Sequence, residues 1–398
     1  MKKEQAFILT INGGSSSVKF ALYRVGTIST RLLFGKIDRI GLEDSTFTFT
    51  NEKVVHQDRL ETEKSDYHSS VIYLMNWLEK QIDFSLIKGV GHRVVFGMKH
   101  TEPELITRKL LDELHLIIPY DSDHLPAEIE LIEVFIHRYP NLKQVACFDT
   151  AFHRTMPRVA KLLPIPRRFD KVGIQRYGFH GLSYAYLIEE LIRIAGKRAG
   201  KGRVILAHLG NGASLAAVHK GKSVDTSMGF TPAGGMIMGT RPGDLDPGVA
   251  WYMMKSENLT PKQFNNLINH ESGLLGISET SSDMRDMLAK ESDDIRAAEA
   301  VALFCYQAKK WIGAFAATLG GLDTLVFAGG IGENCPVIRS RICEGLEFLG
   351  IGLDEKQNRK NAPIISKEKK SVAVRVIHTD EEWMIAKTVK QVLNIIKK

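Results

Sequence analysis

Hydrophobic and polar positions follow two different periods along this chain, and the changes of period predict strands followed by helices. Residues 7–24, FILTINGGSSSVKFALYR, carry an apolar run on each side of a glycine and serine cluster, a pattern typical of a β-hairpin. In the second strand, Lys19 falls on the face opposite Phe20 and Leu22. A lysine beside such a loop suits a phosphate site as well as a plain hairpin, and this segment alone leaves both interpretations open.

The glycine-rich turn recurs twice in the second half of the chain. Residues 204–218, VILAHLGNGASLAAV, repeat the order of strand, turn and strand. In residues 324–350 a glycine loop leads from a strand into a helix, which we expect to start at Pro336 and end at Gly350. Glycine lets backbone N–H groups approach phosphate oxygens closely. We therefore predict a duplicated α/β protein in which two hairpins hold phosphates and the third loop holds a nucleoside.

The first loop is not a Walker phosphate loop. That motif needs Gly-Lys-Ser/Thr at the start of a helix, whereas Lys19 lies inside a predicted strand.

The rest of the chain also alternates between strand and helix patterns. We predict strands over residues 86–97 and 143–149, and helices over residues 126–140, 182–200, 296–321 and 381–398. The change of domain is expected near residue 150, after the strand that ends at Asp149, which gives domains 1–150 and 151–382. The final helix, residues 383–398, is expected to pack on the first domain.

Composition restricts the class of protein without identifying it. With 398 residues, 44% of them hydrophobic and 25% charged, the chain resembles a soluble α/β protein. No apolar run reaches the roughly 20 residues of a membrane span, and the N-terminus lacks the form of a signal peptide. Four cysteines without Cys-x-x-Cys spacing predict free thiols and a cytoplasmic location. The net charge of +7 is scattered, so we expect neither nucleic acid nor membrane as a partner.

Several charged side chains lie where strands end or inside apolar segments. Asp149 follows an apolar strand, where α/β sheets bind ligands, but it is equally suited to cap the next helix. Arg93 needs an anion, either an internal carboxylate or a substrate. His180 has a structural as well as a catalytic interpretation, and Arg241 lies in a glycine- and proline-rich segment beside acids. The acids at 380–382 open the last helix, where they suit the helix dipole.

Short motifs along nearly the whole chain resemble those of the acetate kinases, within the sugar kinase, Hsp70 and actin superfamily. They are NGGSSSVK, GHRVV, FDTAFHRTMP, YGFHG, HLGNGAS, DTSMGFTP, MGTRPGDLDPG, SGLLGIS, SSDMRD, GGIGEN and TDEE, in the order of the family. MGTRPGDLDPG and HLGNG are highly specific, so the chain is identified as similar to this family.

The resemblance implies a fold, an activity and partners. The fold is α/β, with two duplicated ribonuclease H-like (actin-like ATPase) domains and a nucleotide cleft between them. The activity is reversible transfer of the ATP γ-phosphoryl group to acetate, giving acetyl phosphate and ADP. It depends on Mg²⁺, for which Mn²⁺ substitutes. The resemblance also implies a homodimer, and a propionate or other short-chain acyl kinase is the alternative with the same machinery.

The resemblance further assigns roles to individual positions. It implies metal ligands at Asn12 and Glu381, catalytic groups at Asp149, His180 and Arg241, substrate-binding residues at Arg93, Val95, Phe179 and Pro232, and nucleotide-binding residues at Lys19, His208, Leu209, Gly210, Asn211, Gly212, Asp283, Met284, Arg285, Gly330, Ile331, Gly332, Glu333 and Asn334.

The charge of the substrates indicates what such a site needs. Acetate is already ionised at neutral pH, so the nucleophile has no proton to lose and a strong general base is unnecessary. An anionic carboxylate must instead attack an anionic phosphoryl group, which demands in-line positioning and charge neutralisation. Arginine suits both carboxylate and phosphate oxygens. We therefore expect Asp149 to orient a metal-bound water or an arginine, although the family role is that of an essential acid.

One segment departs from the family. The usual Ala-Pro-Leu-His-Asn-Pro, whose leucine helps to line the acetyl pocket, is replaced by IIPYDSDHLPAEIE, in which Tyr120 or Leu125 takes that place. Leu182 and Tyr184 stand where the family has Thr and His. The other pocket positions are unaltered, so we expect acetate to be preferred over propionate.

Overall fold

The structure is a computed structural model that describes residues 6–14, 17–26, 30–41, 45–51, 54–59, 66–368 and 370–395. Ser15 and Ser16 of the first loop, and the end of the predicted last helix at 396–398, lie outside the described residues. The chain divides into two compact units, Met1–Ala151 with Asp380–Lys398, and Phe152–Thr379. Residues 380–382 thus group with the first unit.

Strands and helices alternate along the chain. The strands are β1 (Phe7–Gly13), β2 (Ser17–Arg24), β3 (Thr30–Asp38), β4 (Thr46–Asn51), β5 (Val54–Arg59), β6 (Ile87–Val94), β7 (Glu104–Leu105), β8 (Gln144–Phe148), β9 (Arg203–Leu209), β10 (Ala213–His219), β11 (Lys222–Thr226), β12 (Thr324–Ala328) and β13 (Ala373–Val376). The α-helices are α1 (Tyr67–Gln81), α2 (Arg108–Ile117), α3 (Leu125–Arg138), α4 (Arg158–Lys161), α5 (Arg167–Lys171), α6 (Gly181–Lys201), α7 (Pro247–Ser256), α8 (Pro261–Asn266), α9 (Gly273–Ser278), α10 (Met284–Lys290), α11 (Ile295–Leu319), α12 (Gly329–Asn334), α13 (Pro336–Cys343), α14 (Glu355–Arg359) and α15 (Glu381–Val392). Short 3₁₀ turns span Phe84–Leu86, Ile118–Tyr120, Ala151–Thr155 and Glu347–Leu349, and a π turn spans Leu267–Glu271.

The sheet of the first unit has eight strands in the order β5-β4-β3-β2-β1-β6-β8-β7. β1 and β2 form the predicted antiparallel hairpin, in which Asn12 pairs with Lys19. β1, β6 and β8 are parallel, with Ile11 opposite His92 and Arg93 opposite Cys147. Because parallel strands end at the same edge of a sheet, the last residues of these three strands and Asp149 lie along one edge.

The sheet of the second unit repeats this arrangement with five strands in the order β11-β10-β9-β12-β13. β9 and β10 form the second predicted hairpin, and β12 pairs in parallel with both β9 and β13. The order β11-β10-β9-β12-β13 matches β3-β2-β1-β6-β8 of the first unit strand by strand. The predicted duplicated α/β fold is confirmed.

Helix α15 packs closely on the first sheet because β6 carries glycine where it passes beneath. A Cβ on Gly91 would lie 2.4 Å from Ile385 Cγ2, and one on Gly89 would lie 2.4 Å from Leu393 Cδ1. Replacing either hydrogen with a methyl group would push the helix away from the strands. The glycines of GVGHR therefore set the position of the first residues of α15.

The third glycine-rich segment differs in detail from its prediction. The glycine loop is itself a helical turn, α12, and α13 starts at Pro336 as expected. α13 ends at Cys343 and not at Gly350, because Glu344, with a ψ of 129°, leaves helical geometry and Gly345 has a φ of 76°. Gly350, with a φ of 88°, ends the 3₁₀ turn that follows.

The remaining expectations concern thiols and membrane segments. All four cysteines are free, as predicted, and three of them are buried. Within the described part of the chain, no helix combines the length and the apolar character needed to cross a membrane.

Candidate active site

Asn12 lies near the end of β1, at the carboxyl edge of the first sheet, and is only 6% exposed. Its side-chain Nδ2 donates to Glu381 Oε2 at 2.9 Å and to Glu382 Oε1 at 3.2 Å. The two acids are at the start of α15, so helix packing brings residues from opposite ends of the chain into direct contact. The structure therefore brings together Asn12 and Glu381, the two predicted metal ligands.

The acids at 380–382 do more than suit the helix dipole. Asp380 caps α15 through its Oδ1, which accepts from the Trp383 N–H at 2.9 Å. Burial raises the pKa of the Glu382 carboxyl, opposed by Lys19 and reinforced by Glu381. Lys19 therefore lies close to an anionic cluster whose mutual repulsion a bound cation would relieve.

The donors at this edge fit a hard cation. Mg²⁺ prefers oxygen ligands and keeps several waters, so one carboxylate and one amide oxygen suffice on the protein side. At such a site Glu381 would supply the carboxylate oxygen and Asn12 the amide oxygen. Among the residues that the structure describes, no three His, Cys, Asp or Glu side chains form a metal-binding group.

Arg93 in β6 pairs with Asp149, which immediately follows β8. Arg93 Nη2 donates to Asp149 Oδ2 at 2.9 Å, and the Asp149 side chain is fully buried. Burial by itself lowers the pKa of Arg93, but Asp149, Glu381 and Glu128 together raise it overall, so the guanidinium stays charged. The sequence predicted that Arg93 needs either an internal carboxylate or a substrate anion, and the structure shows an internal carboxylate, that of Asp149.

Glu128 was not identified from the sequence. It lies in the first turn of α3, is 2% exposed, and its Oε2 accepts the Val95 N–H at 2.9 Å. Val95 is itself buried just beyond the end of β6, two residues after Arg93. A single acid on the apolar face of the predicted helix 126–140 was the only signal in the sequence.

The segment that departs from the family separates its two candidate pocket residues. Tyr120 ends a 3₁₀ turn and is 40% exposed, whereas Leu125 at the start of α3 is fully buried. Between them, the nearly buried Asp121 pairs through Oδ1 with His124 Nδ1 at 2.9 Å. Tyr120 is thus the candidate that keeps an accessible side chain.

In the second unit, His180 is the residue before α6 and has a left-handed φ of 57°. Its Nδ1 lies 2.8 Å from Ser214 Oγ, which in turn lies 2.5 Å from the hydroxyl of the buried Tyr184. The ring stacks on His208 with centroids 4.4 Å apart. Tyr184, which differs from the residue usual in the family, therefore belongs to the hydrogen-bonded chain that orients His180, a predicted catalytic residue.

His153 is a second buried residue that the sequence did not reveal. Its Nε2 donates to the Phe179 carbonyl at 3.0 Å, and its Nδ1 lies 2.9 Å from Ser223 Oγ. Gly178 packs against the His153 ring, since a Cβ there would lie 2.7 Å from His153 Cδ2. His153 thus fixes the backbone between the predicted pocket residue Phe179 and His180.

Arg241 lies beside His180 and Gly212. A Cβ on Gly212 would lie 3.0 Å from Arg241 Nη2 and 3.2 Å from His180 Nε2, so a side chain there would press both groups by a few tenths of an ångström. Arg241 Nη1 donates to the Pro232 carbonyl at 2.7 Å. The structure therefore brings together the predicted catalytic pair, one predicted nucleotide residue and one predicted pocket residue.

The predicted nucleotide segments form a connected group. A Cβ on Gly210 would lie 3.8 Å from the Gly330 nitrogen, which makes 208–212 and 330–334 neighbours. Asn211 accepts the Gly239 N–H at its carbonyl, at 2.9 Å, and Gly239 also lies beside Ser282. The third segment, Asp283–Arg285, is thus adjacent. Its Asp283 caps α10 and pairs with Arg285 at 2.5 Å.

Several of these nucleotide-segment residues also serve the loop itself. Glu333 Oε1 accepts the Gly329 N–H at 2.9 Å, and Glu333 Oε2 lies 2.6 Å from His378 Nδ1. Asn334 Nδ2 donates to the Gly330 carbonyl at 3.0 Å. Glu333 and Asn334 therefore fix the shape of the α12 turn.

The fully buried Arg339 holds this loop from behind and was not identified from the sequence. Its Nη1 donates to the Gly332 and Glu333 carbonyls at 2.8 and 3.1 Å, while Nε donates to Asn358 Oδ1 at 2.8 Å. Because its hydrogen-bond acceptors are neutral backbone and amide oxygens, Arg339 fixes the backbone and does not pair with an acid.

Two α/β units with the same strand order, each carrying a hairpin with a glycine-rich turn, define a duplicated actin-like ATPase fold. The Acetokinase family model matches residues 7–387, so the chain belongs to the acetokinase family, as its motifs indicated. The acetate kinase of Methylocella silvestris is 41% identical over 392 residues, which cover 96% of each chain.

Two solved structures agree with this assignment. The crystal structure of Porphyromonas gingivalis acetate kinase has a TM-score of 0.84 at 37% identity and covers 98% of this chain and 100% of that one. A propionate kinase from Francisella tularensis has a TM-score of 0.89 at 36% identity and covers 97% of this chain and 100% of that one.

Proposed function

We propose that this protein is an acetate kinase, which transfers the γ-phosphoryl group of ATP reversibly and in line to acetate, giving acetyl phosphate and ADP. The observation that carries the proposal is the cationic Arg93 at the edge of the first sheet, held by Asp149, with the buried Val95 two residues further along the chain. A fixed guanidinium suits a carboxylate, and a small apolar residue suits its methyl group.

Charge neutralisation supplies most of the proposed catalysis. Arg93 binds the acetate carboxylate, and Arg241 and His180 stabilise the charge on the transferred phosphoryl group. Val95, Phe179 and Pro232 are the residues to which the family resemblance gives the contacts with the acyl group. The hydrogen bond from Arg241 Nη1 to the Pro232 carbonyl supports this division, because it holds the guanidinium in place near His180, with Gly212 close to both groups.

Asp149 acts as an orienting group in this proposal. Acetate carries no proton to remove, and the carboxylate of Asp149 is already engaged by Arg93. Its buried charge holds the guanidinium in one geometry, which lowers the entropy lost when the substrate binds.

We also propose that Asn12 and Glu381 hold Mg²⁺, with Mn²⁺ as a substitute, and that Lys19 and the segments 208–212, 283–285 and 330–334 bind the nucleotide. The metal would neutralise phosphate charge when bound. Acetyl phosphate synthesis should stop in EDTA and return with Mg²⁺ or Mn²⁺. It should fail to return at ordinary metal concentrations when Asn12 and Glu381 are both replaced by alanine.

The assay that tests the reaction traps the acyl phosphate with hydroxylamine. Acetate, propionate and butyrate are supplied in parallel with ATP and Mg²⁺, and hydroxamate is measured for each. We expect product from acetate, with kcat/KM at least about tenfold above propionate, because one misfitting methylene costs roughly 1–3 kcal/mol. Equal or better use of propionate would instead favour the second candidate, a propionate kinase, which the similarity to the Francisella tularensis structure supports.

We further propose that the two compact units are the two domains predicted near residue 150, and that the protein is a homodimer acting in the cytoplasm. The four free thiols and the requirement for ATP support a reducing intracellular compartment. The exposed apolar side chains of α7 support the dimer, since Trp251 and Tyr252 are each 70% exposed.

A further inference from the structure

The buried Glu128 has no assigned role and is placed beside residues that the proposed function uses. It projects from the first turn of α3 and is 2% exposed. Its Oε2 accepts the Val95 N–H at 2.9 Å. Its other oxygen, Oε1, has no hydrogen-bond partner among the residues that the structure describes. A buried carboxyl oxygen without a partner is costly and needs an explanation.

The charged and titratable groups that face Glu128 come from four elements. Arg93 approaches from β6, Asp149 from the residue after β8, and Asp121 from the segment before α3. Tyr67 faces it from α1. A Cβ on Gly13 would lie 3.1 Å from the Tyr67 hydroxyl and 3.9 Å from Glu128 Cγ, so both side chains pack behind the turn of the first hairpin.

This environment favours the neutral form of Glu128. Burial raises the pKa of the carboxyl to about 8, although Arg93 lowers it, and Asp121 and Asp149 raise it further. At pH 7, therefore, Glu128 is mostly uncharged, and the carboxyl group hydrogen-bonded to Arg93 is that of Asp149.

We propose that Glu128 is a positioning residue for the acceptor substrate: its carboxyl group holds the backbone at Val95, and its charge state sets how strongly Arg93 attracts a carboxylate. This inference rests on the proposed function, in which Arg93 binds acetate and Val95 contacts its methyl group. The neutral carboxyl group accepts the Val95 N–H and so fixes the backbone there, without adding a negative charge that would compete with the substrate for Arg93.

The direction of the pH effect follows from the charges. As the pH rises through about 8, Glu128 loses its proton and adds a second ionised carboxylate beside Arg93. The negative charge of Glu128 then partly neutralises Arg93, so the anionic acetate binds more weakly. The KM for acetate should rise, while kcat should change much less, because the transferred phosphoryl group is stabilised by other residues.

The first experiment measures the KM for acetate and kcat between pH 6.5 and 9.5 in the wild-type protein and in Glu128→Gln. In the wild type, the KM for acetate should rise at least about threefold across this range. In Glu128→Gln the KM should stay flat and remain within about twofold of the wild-type value at pH 7, because the amide oxygen accepts the Val95 N–H without a charge. Glu133→Gln, an exposed position on the same helix, is the matched control and should follow the wild type.

A second variant tests the hydrogen bond to Val95. Glu128→Leu leaves the buried Val95 N–H without an acceptor, so the KM for acetate at pH 7 should rise at least about tenfold, with the KM for ATP unchanged. A general loss of folding would instead change both KM values and the unfolding midpoint.

The two proposals fail in different ways. A Glu128→Gln protein with the same alkaline rise in acetate KM as the wild type, or a wild type with no rise, would overturn the role of Glu128 and leave the kinase assignment intact. Absence of any acyl phosphate at pH 7 in the wild type would overturn the proposed function, and this inference with it.

Discussion

Individual residues in both units are held by contacts that leave them little freedom. His180 and Arg241 both lie close to Gly212, where a Cβ would crowd the two side chains. Arg93 has a buried carboxylate partner in the same unit. Such preorganised charges cost no rearrangement when a reaction develops charge, which is the condition for effective electrostatic catalysis.

Arg241 gives the clearest prediction at this scale. Arg241→Ala should lower kcat by at least about 10²-fold, with the KM for acetate changed far less, because its charge is needed mainly in the transition state. Arg241→Lys should restore little, since an ammonium cannot hold the Pro232 carbonyl and bridge phosphoryl oxygens together. Steady-state kinetics of acetyl phosphate synthesis measure both effects. A variant with unchanged kcat and raised KM would make Arg241 a ground-state binder.

Tyr120 is the residue by which acyl specificity can be tested. A tyrosine in place of the family's leucine narrows a pocket, and Tyr120 keeps an exposed side chain whereas Leu125 is enclosed. Tyr120→Ala should therefore raise the kcat/KM for propionate relative to acetate by several fold. Leu116→Ala, at a 76% exposed position on α2, is the control and should leave the ratio unchanged. An unchanged ratio in Tyr120→Ala would show that this residue lies outside the pocket.

At the scale of elements, the site of the first unit depends on how α15 sits on the sheet. Gly91 in β6 leaves room for Ile385 and Val389 of this helix. That close packing brings Glu381 to Asn12. The same principle operates in the second unit, where Arg339 ties the α12 turn to Asn358 through hydrogen bonds to backbone and amide oxygens. Neither Gly91 of β6 nor Arg339 takes part in the proposed reaction. Each fixes the position of residues that do take part in it.

The packing of α15 predicts a stability effect. Gly91→Ala should lower the free energy of unfolding of the first unit by about 1–3 kcal/mol, because the new methyl group would overlap Ile385 and Val389. Urea titration followed by tryptophan fluorescence measures the change. Gly313→Ala in the middle of α11 is the matched control: a Cβ there meets nothing within 4 Å, and the protein should gain about 0.5–1 kcal/mol. Equal stability of the two variants would contradict the proposed packing constraint.

At the scale of the whole molecule, duplication explains why similar turns recur. Each unit places a glycine-rich turn between the two strands of an antiparallel hairpin, β1–β2 in the first and β9–β10 in the second. The backbone N–H groups of such turns suit phosphate oxygens, which agrees with the roles that the family resemblance implies for both segments.

The exposed apolar face of α7 predicts self-association. Replacing both Trp251 and Tyr252 with glutamate should convert the proposed dimer to a monomer, because burial of these aromatic side chains would be lost and four like charges would face one another across a two-fold axis. Light scattering on the wild type and the double variant gives the mass directly. A monomeric wild-type protein would exclude the dimer, and a dimeric double variant would move its interface away from α7.

The amino-acid sequence by itself determined the local features. Alternating apolar residues around glycine clusters predicted both hairpins, and the contiguous motifs identified the family along almost the whole chain. These signals are readable because hairpin turns, helix caps and motif loops depend on neighbouring residues. The predicted end of α13, at Gly350, was wrong by seven residues. Gly345 and Gly350 both suit a helix end, and the sequence alone does not show which of them ends this helix.

Only the tertiary structure decided which charges meet. Asn12 contacts Glu381 across 369 positions of sequence, and Arg93 pairs with the buried Asp149. Glu128, one acid on an amphipathic helix, accepts the Val95 N–H, which the sequence did not indicate. Contacts between distant residues depend on strand order and helix packing, which no local pattern encodes. The pKa of a buried acid depends in turn on those contacts, so the electrostatic character of the site belongs to the folded chain.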